Sequence, residues 1–142
     1  TIGLGAAKGL PETPQKHAAK VIGVDNIAAA IKDAKSNAQH NGIENAQFIT
    51  DDAGKFMTRL AAEGEQLDVL LMDPPRAGAS EDFLKATCAL KPSRVVYISC
   101  NPKTQQRDVA YLIKHGYHLL RIQPVDMFPH ADHTENICLL EL

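Results

Sequence analysis

Val21-Ile22-Gly23-Val24-Asp25-Asn26-Ile27-Ala28-Ala29-Ala30-Ile31 changes its period halfway along. The opening four residues form a short apolar run that stops at an acid. Ile27, Ile31, Ala34 and Ala38 then recur at helical spacing until Asn41-Gly42 ends the pattern. A strand followed by a helix is one β-α unit, and the alternation repeats outward. Ala46 to Thr50 reads as a second strand, followed by a helix in which Ala53, Phe56, Met57 and Leu60 share a face. Leu67 to Met72 is nearly continuous in apolar residues, as a parallel strand covered on both faces requires. Ser80 is placed to cap a helix carrying Phe83, Leu84 and Leu90. Arg94 to Ser99 follows as a strand of β-branched and aromatic residues, and a further helix holds Val109, Leu112 and Ile113 before Gly116. The pattern changes in His118 to Val125 and Asn136 to Leu142, two extended segments expected to pair antiparallel and close the sheet edge. The expected architecture is α/β, a doubly wound and mostly parallel sheet.

The 142 residues at 44% apolar content suit one domain with a real core, and 1–142 is the expected unit. A net charge of -2 with scattered basic residues supplies no electrostatic footprint for nucleic acid, so tight RNA binding would need help from outside this chain. Cys88, Cys100 and Cys138 have an odd count and no metal-ligand spacing, so neither a disulfide framework nor a zinc or iron-sulfur site follows from them, and a reducing cytoplasm fits best. The opening residues do not read as a signal peptide, and no apolar run approaches the roughly 20 residues of a membrane span. No protein partner is deducible.

Doubly wound sheets bind ligands beyond the carboxyl ends of their strands. The polar residues there are Asp25, Asp51 and Asp52, Asp73, and Ser99-Cys100-Asn101. Asp25 stands where one carboxylate can accept from both ribose hydroxyls, or it caps the next helix. Asp52 could accept from an adenine amine, and it could equally be a helix cap. In Asp73-Pro74-Pro75-Arg76 two prolines remove two backbone donors and hold the chain extended, which aims the aspartate, although a simple strand-exit turn has the same composition. Tyr97-Ile98-Ser99-Cys100-Asn101-Pro102 delivers a thiol to a strand end and follows it at once with a turn. A helix starting near Lys103-Thr104 would place its positive end near that sulfur and favour a thiolate. Cys88 and Cys138, within a helix and a strand, read as small buried hydrophobes. Asp126 to Glu135 crowds two histidines and three acids into one connection, but His130 and His133 lack a third metal ligand at a convincing spacing.

Together these stretches resemble the catalytic domain of the uridine-C5 RNA methyltransferases, which make 5-methyluridine in transfer RNA and large-subunit ribosomal RNA. The matching segments are Thr1 to Leu4, Val21 to Asp25, Asp73 to Gly78, Tyr97 to Thr104 and Asp126 to Glu135. The most specific is Ser-Cys-Asn-Pro with its downstream His-x-x-His-x-Glu. Asp126-Met127-Phe128-Pro129-His130 resembles the ribosomal (23S) branch more than the transfer-RNA branch.

The resemblance implies a Rossmann-like class I fold dependent on S-adenosylmethionine, with an antiparallel C-terminal strand. It implies Cys100 as nucleophile and Glu135 as base. Asp25 and Asp52 would hold the cofactor's ribose and adenine, Asp73 would lie beside the methyl donor and target base, and Thr1 would contact the cofactor. It also implies a first strand and glycine-rich loop just before Thr1, so the chain is expected to be a fragment that binds cofactor weakly or not at all alone. Gly5 to His17 looks looser than the family's first helix. Two other readings stand beside this one: an exocyclic-amine methyltransferase working through Asp73-Pro74-Pro75-Arg76, and a non-catalytic α/β binding module.

Overall fold

A computed structural model describes residues 2–9, 17–126 and 134–142. They group into two compact units, Thr1–Phe56 and Met57–Leu142. Helix α1 (Ile2–Lys8) opens the first unit and includes Gly5, so the start of the stretch expected to be loose is helical; 10–16 lie outside the described residues. Strand β1 (Val21–Asp25) pairs in parallel with β2 (Ala46–Thr50) through helix α2 (Ala28–His40), the β-α-β unit read from the sequence. Ile31, Ala34 and Ala38 are buried as their spacing requires, whereas Ile27 is the N-cap residue and stays 59% exposed. The helix ends where Gly42 takes φ +64 and Ile43 N–H donates to the Ala38 carbonyl at 2.9 Å. Asn45 ties the unit together by donating its amide to the carbonyls of Ala7 (3.0 Å) and Ala18 (2.7 Å).

Helix α3 (Ala53–Glu63) leads into the second unit, a four-stranded sheet in the order β3-β4-β6-β5. Strand β3 (Val69–Met72) lies parallel to β4 (Arg94–Ser99), while β6 (Glu135–Glu141) runs antiparallel between β4 and β5 (His118–Val125). The sheet is thus mixed, and the carboxy-terminal pair does close its edge, with the last strand inside and β5 outermost. Helix α4 (Glu81–Leu90) starts at Ser80, whose hydroxyl accepts from Phe83 N–H at 3.2 Å, and α5 (Pro102–Lys114) starts at Asn101. Register and alternation build the core in rows across one sheet face. Leu70, Val95 and Leu140 form one row; Met72, Tyr97 and Cys138 form the next. Leu112, fully buried, and Val109 of α5 belong to the same core, whereas Ile113 turns outward at 45% exposure. Burying each such aliphatic side chain is worth about 1.5–3 kcal/mol. The third row, Ser99 and Asn136, is polar, so the core gives way to hydrogen bonding at the carboxyl end of β4.

Candidate functional site

Each sequence-derived site residue among those described lies at a strand end. In the first unit, Asp25 closes β1, and its Oδ1 accepts from Ile27 N–H at 2.8 Å, which fixes the carboxylate in the turn. An ionised carboxylate has about four acceptor positions, so this bond leaves capacity for a diol. Asp51 N–H donates to the Asp25 carbonyl at 3.1 Å and joins the two strand ends. Asp52 caps α3: its Oδ1 accepts from Lys55 N–H at 2.9 Å. A cleft of about 650 Å³ along α2 and β2, lined by Lys35, Gln39, Ile43 and Phe48, includes none of these acids.

In the second unit, β4 and β6 pair from Arg94↔Glu141 through Ser99↔Asn136. That last rung leaves Cys100 and Glu135 as the next residue on each chain segment. Alternation within β6 puts Glu135 on the face carrying Ile137 and Ile98, while Cys100 and Asp73 lie just beyond the ends of β4 and β3. Cys100 and Glu135 are half-buried. Asp73 is exposed, and the desolvation it does undergo raises its carboxyl above the usual aspartate range. The backbone around Cys100 is pinned on both sides: Ser99 Oγ accepts from Asn101 N–H at 3.0 Å, and Thr104 Oγ1 donates to the Asn101 carbonyl at 3.1 Å. Burial pushes the thiols of Cys88 and Cys138 up, consistent with inert packing roles. Thr1 and the segment 127–133, including His130 and His133, lie outside the described residues. Among the described residues no group of three metal-ligating side chains occurs, and no helix is long and apolar enough to cross a membrane.

Sequence reading missed the network that fastens the Asp73-Pro74-Pro75-Arg76 loop to α5. Fully buried Asp108 accepts from Tyr97 Oη (2.8 Å) and Ala79 N–H (2.8 Å) through Oδ2, and from Arg107 Nε (2.8 Å) through Oδ1. Arg107 Nη2 donates to the carbonyls of Ala77 (3.1 Å) and Ala79 (3.3 Å), while Asn101 Nδ2 (2.9 Å) and Thr104 Oγ1 (3.1 Å) both donate to the Arg76 carbonyl. Burial, and then the Asp108 bond, push the Tyr97 hydroxyl well above the usual phenol range, so it remains a donor. A signal was present: Gln105 and Asp108 share the stripe of Val109 and Leu112 at i, i+3, i+4, i+7, and polar residues on a buried stripe need partners.

Gly78 sits inside this network at φ +84, and a Cβ there would lie 2.5 Å from Arg107 Nη2 and 2.6 Å from Asp108 Oδ2. Gly78→Ala combines left-handed strain with overpacking and is expected to cost about 2–4 kcal/mol. A lowered urea midpoint at unchanged slope checks this; an unchanged midpoint would mean that the loop has room to shift.

The model of the tRNA (uracil-5-)-methyltransferase family matches residues 14–142. An uncharacterized RNA methyltransferase of Lactiplantibacillus plantarum is 47% identical over 130 residues, covering 91% of this chain and 28% of that protein. Another, from Caldanaerobacter subterraneus, is 41% identical over 126 residues, covering 89% and 28%. The chain therefore spans about 28% of the length of these curated relatives. The solved tRNA (uracil-54, C5)-methyltransferase of Pyrococcus abyssi, in complex with S-adenosyl-L-homocysteine, matches at a TM-score of 0.71 and 34% identity, over 85% of this chain and 28% of that one. NSun6 of Pyrococcus horikoshii, at 17% identity over 86% of this chain and 41% of that one, shares the fold with a TM-score of 0.62. The fold is the Rossmann-like one of S-adenosylmethionine-dependent methyltransferases, and the chain belongs to the tRNA (uracil-5-)-methyltransferase family.

Proposed function

We propose that this chain is the catalytic part of an S-adenosylmethionine-dependent enzyme of the reducing cytoplasm that methylates carbon 5 of a uridine in RNA. Cys100 acts as nucleophile and Glu135 as base. The observation that supports the reading is the β4–β6 ladder, whose last rung, Ser99↔Asn136, stops one residue short of both Cys100 and Glu135.

The chemistry requires two such groups. Carbon 5 of uracil is a poor nucleophile until a thiolate adds to carbon 6, which pushes electron density into an enolate. Cys100 supplies that thiolate. The bound cofactor supplies a sulfonium methyl as the electrophile. Glu135 then takes the proton from carbon 5, the C5–C6 double bond re-forms, and the Cys100 thiolate leaves. The ring must be reachable from both sulfur and carboxylate, which requires the uridine to leave its stack. The residues present suit the cofactor: Asp25 retains acceptor capacity for ribose hydroxyls after its bond to Ile27, and the remaining acceptors of Asp52 can meet the adenine amine. Thr1 is assigned to the same cofactor. Asp73, held by a loop fastened to α5, lies beside the methyl donor and the target base in this reading. The RNA proposed is 23S ribosomal RNA, from the Asp126 to His130 stretch, with transfer RNA as the other class.

The test uses the full-length protein containing this chain, the cofactor, and RNAs carrying 5-fluorouridine at candidate sites. Fluorine cannot leave as a cation, so the expected product is a complex holding enzyme, methyl group and RNA, mapping by mass to Cys100. Absence of that adduct on an RNA whose uridine the protein does methylate would sink the cysteine mechanism.

A further inference from the structure

Ser99↔Asn136 is the last rung of the β4–β6 ladder, one residue short of Cys100 and Glu135. A single buried amide spans it. Gln105 of α5, 1% exposed, donates Nε2 to the carbonyls of Tyr97 on β4 (2.9 Å) and Asn136 on β6 (3.0 Å). Its Oε1 accepts from Asn136 Nδ2 at 2.6 Å. On the other side of β6, the residue opposite Asn136 is Pro124, which has no N–H to give. Gln105 thus ties β4 and β6 together beside their last rung.

We propose that the Gln105–Asn136 amide pair is a positioning device for the base, setting the start of β6 so that Glu135 reaches the carbon 5 proton of a uracil held on Cys100. The inference rests on the reading of the site given above. In this reading neither amide touches substrate, because alternation directs Ser99 and Asn136 to the face covered by α5, opposite the one that carries Ile98 and Glu135. A buried amide pair can be exchanged for apolar groups of similar shape with little change in stability, so what the pair adds is orientation. The consequence is selective. Thiolate addition and methyl transfer use Cys100 and Asp73, at the ends of β4 and β3. Elimination alone needs a group on β6, so loosening β6 slows the last step and spares the first two.

The experiment follows single turnovers of the full-length protein on an RNA with ordinary uridine. It compares Gln105→Glu and Asn136→Asp, which keep size but lose the donor, with a Gln105→Leu/Asn136→Leu double variant. Glu135→Gln is the reference for a missing base. The expected result is a methylated, denaturation-resistant protein–RNA complex that forms at the parental rate and decays about 10- to 100-fold more slowly, while the KM for cofactor stays within about twofold. Decay at the parental rate overturns the inference, as does equal slowing of formation and decay at an unchanged unfolding midpoint. If the single variants fold poorly, the double variant decides: parental release overturns the proposal and stalled release supports it. No 5-fluorouridine adduct with the parent overturns the underlying reading, whereas a parental adduct with unaltered release in the variants overturns only this inference.

Discussion

Cys100→Ala in the full-length protein is expected to lower turnover at least about 10⁴-fold and to abolish the 5-fluorouridine adduct, because removing a covalent nucleophile removes the whole route rather than one contact. The fold should survive. Cys100 is half-buried just outside β4, and the turn around it is held by Ser99, Asn101 and Thr104, none of which uses the thiol. An unchanged unfolding midpoint with lost activity therefore separates a chemical role from a structural one. Retention of full activity would remove Cys100 from the mechanism and return the weight to amine methylation through Asp73-Pro74-Pro75-Arg76.

Asp108→Ala should produce the largest loss of stability. The substitution strips the acceptor from the fully buried Tyr97 hydroxyl, releases Ala79 N–H, and leaves Arg107 without its 2.7 Å ion pair. Arg107 is more than half exposed and can turn to water, so the cost, about 2–6 kcal/mol, comes from the two groups left without an acceptor, and part of that figure is the unsatisfied tyrosine. A Tyr97→Phe/Asp108→Ala cycle isolates that part, since the phenylalanine has no hydroxyl to strand: the double variant should be less destabilised than the two singles summed. Equilibrium urea unfolding gives the values. A cost below about 1 kcal/mol for Asp108→Ala would mean that water replaces the carboxylate and that the loop is held by its other bonds. Activity should fall as well, since the 73–80 loop carries Asp73 and is fastened to α5 through Asp108, Asn101 and Thr104.

Much of this was legible in one dimension. The change from short apolar runs to a period of 3.6 marked the β-α units, the glycine after Asn41 marked a helix end, and Ser80 was a visible cap. Placement of Asp25, Asp73 and Cys100 at strand ends needed only those boundaries. Where local chemistry allowed two outcomes, the sequence left both open: Asp52 caps α3, and that bond neither requires nor forbids a second partner. Ile27 and Ile113 fit the apolar stripes yet are exposed, because a stripe at its margin does not say how far the covering surface reaches.

The sequence by itself determined the elements from β1 onward, their order and the chemical character of each strand end, since these depend on side-chain period, turn residues and caps within a few positions. Tertiary structure alone decided that β6 inserts between β4 and β5, with Ser99 opposite Asn136 as the last rung before Cys100 and Glu135. A slip of one residue would turn Glu135 to the face of Asn136. Gln105 and Asp108 acquire meaning only there, because their partners on β4, β6 and the Ala79 loop come from distant parts of the chain. Nothing local in the sequence specifies pairings between groups that only folding brings within hydrogen-bond reach.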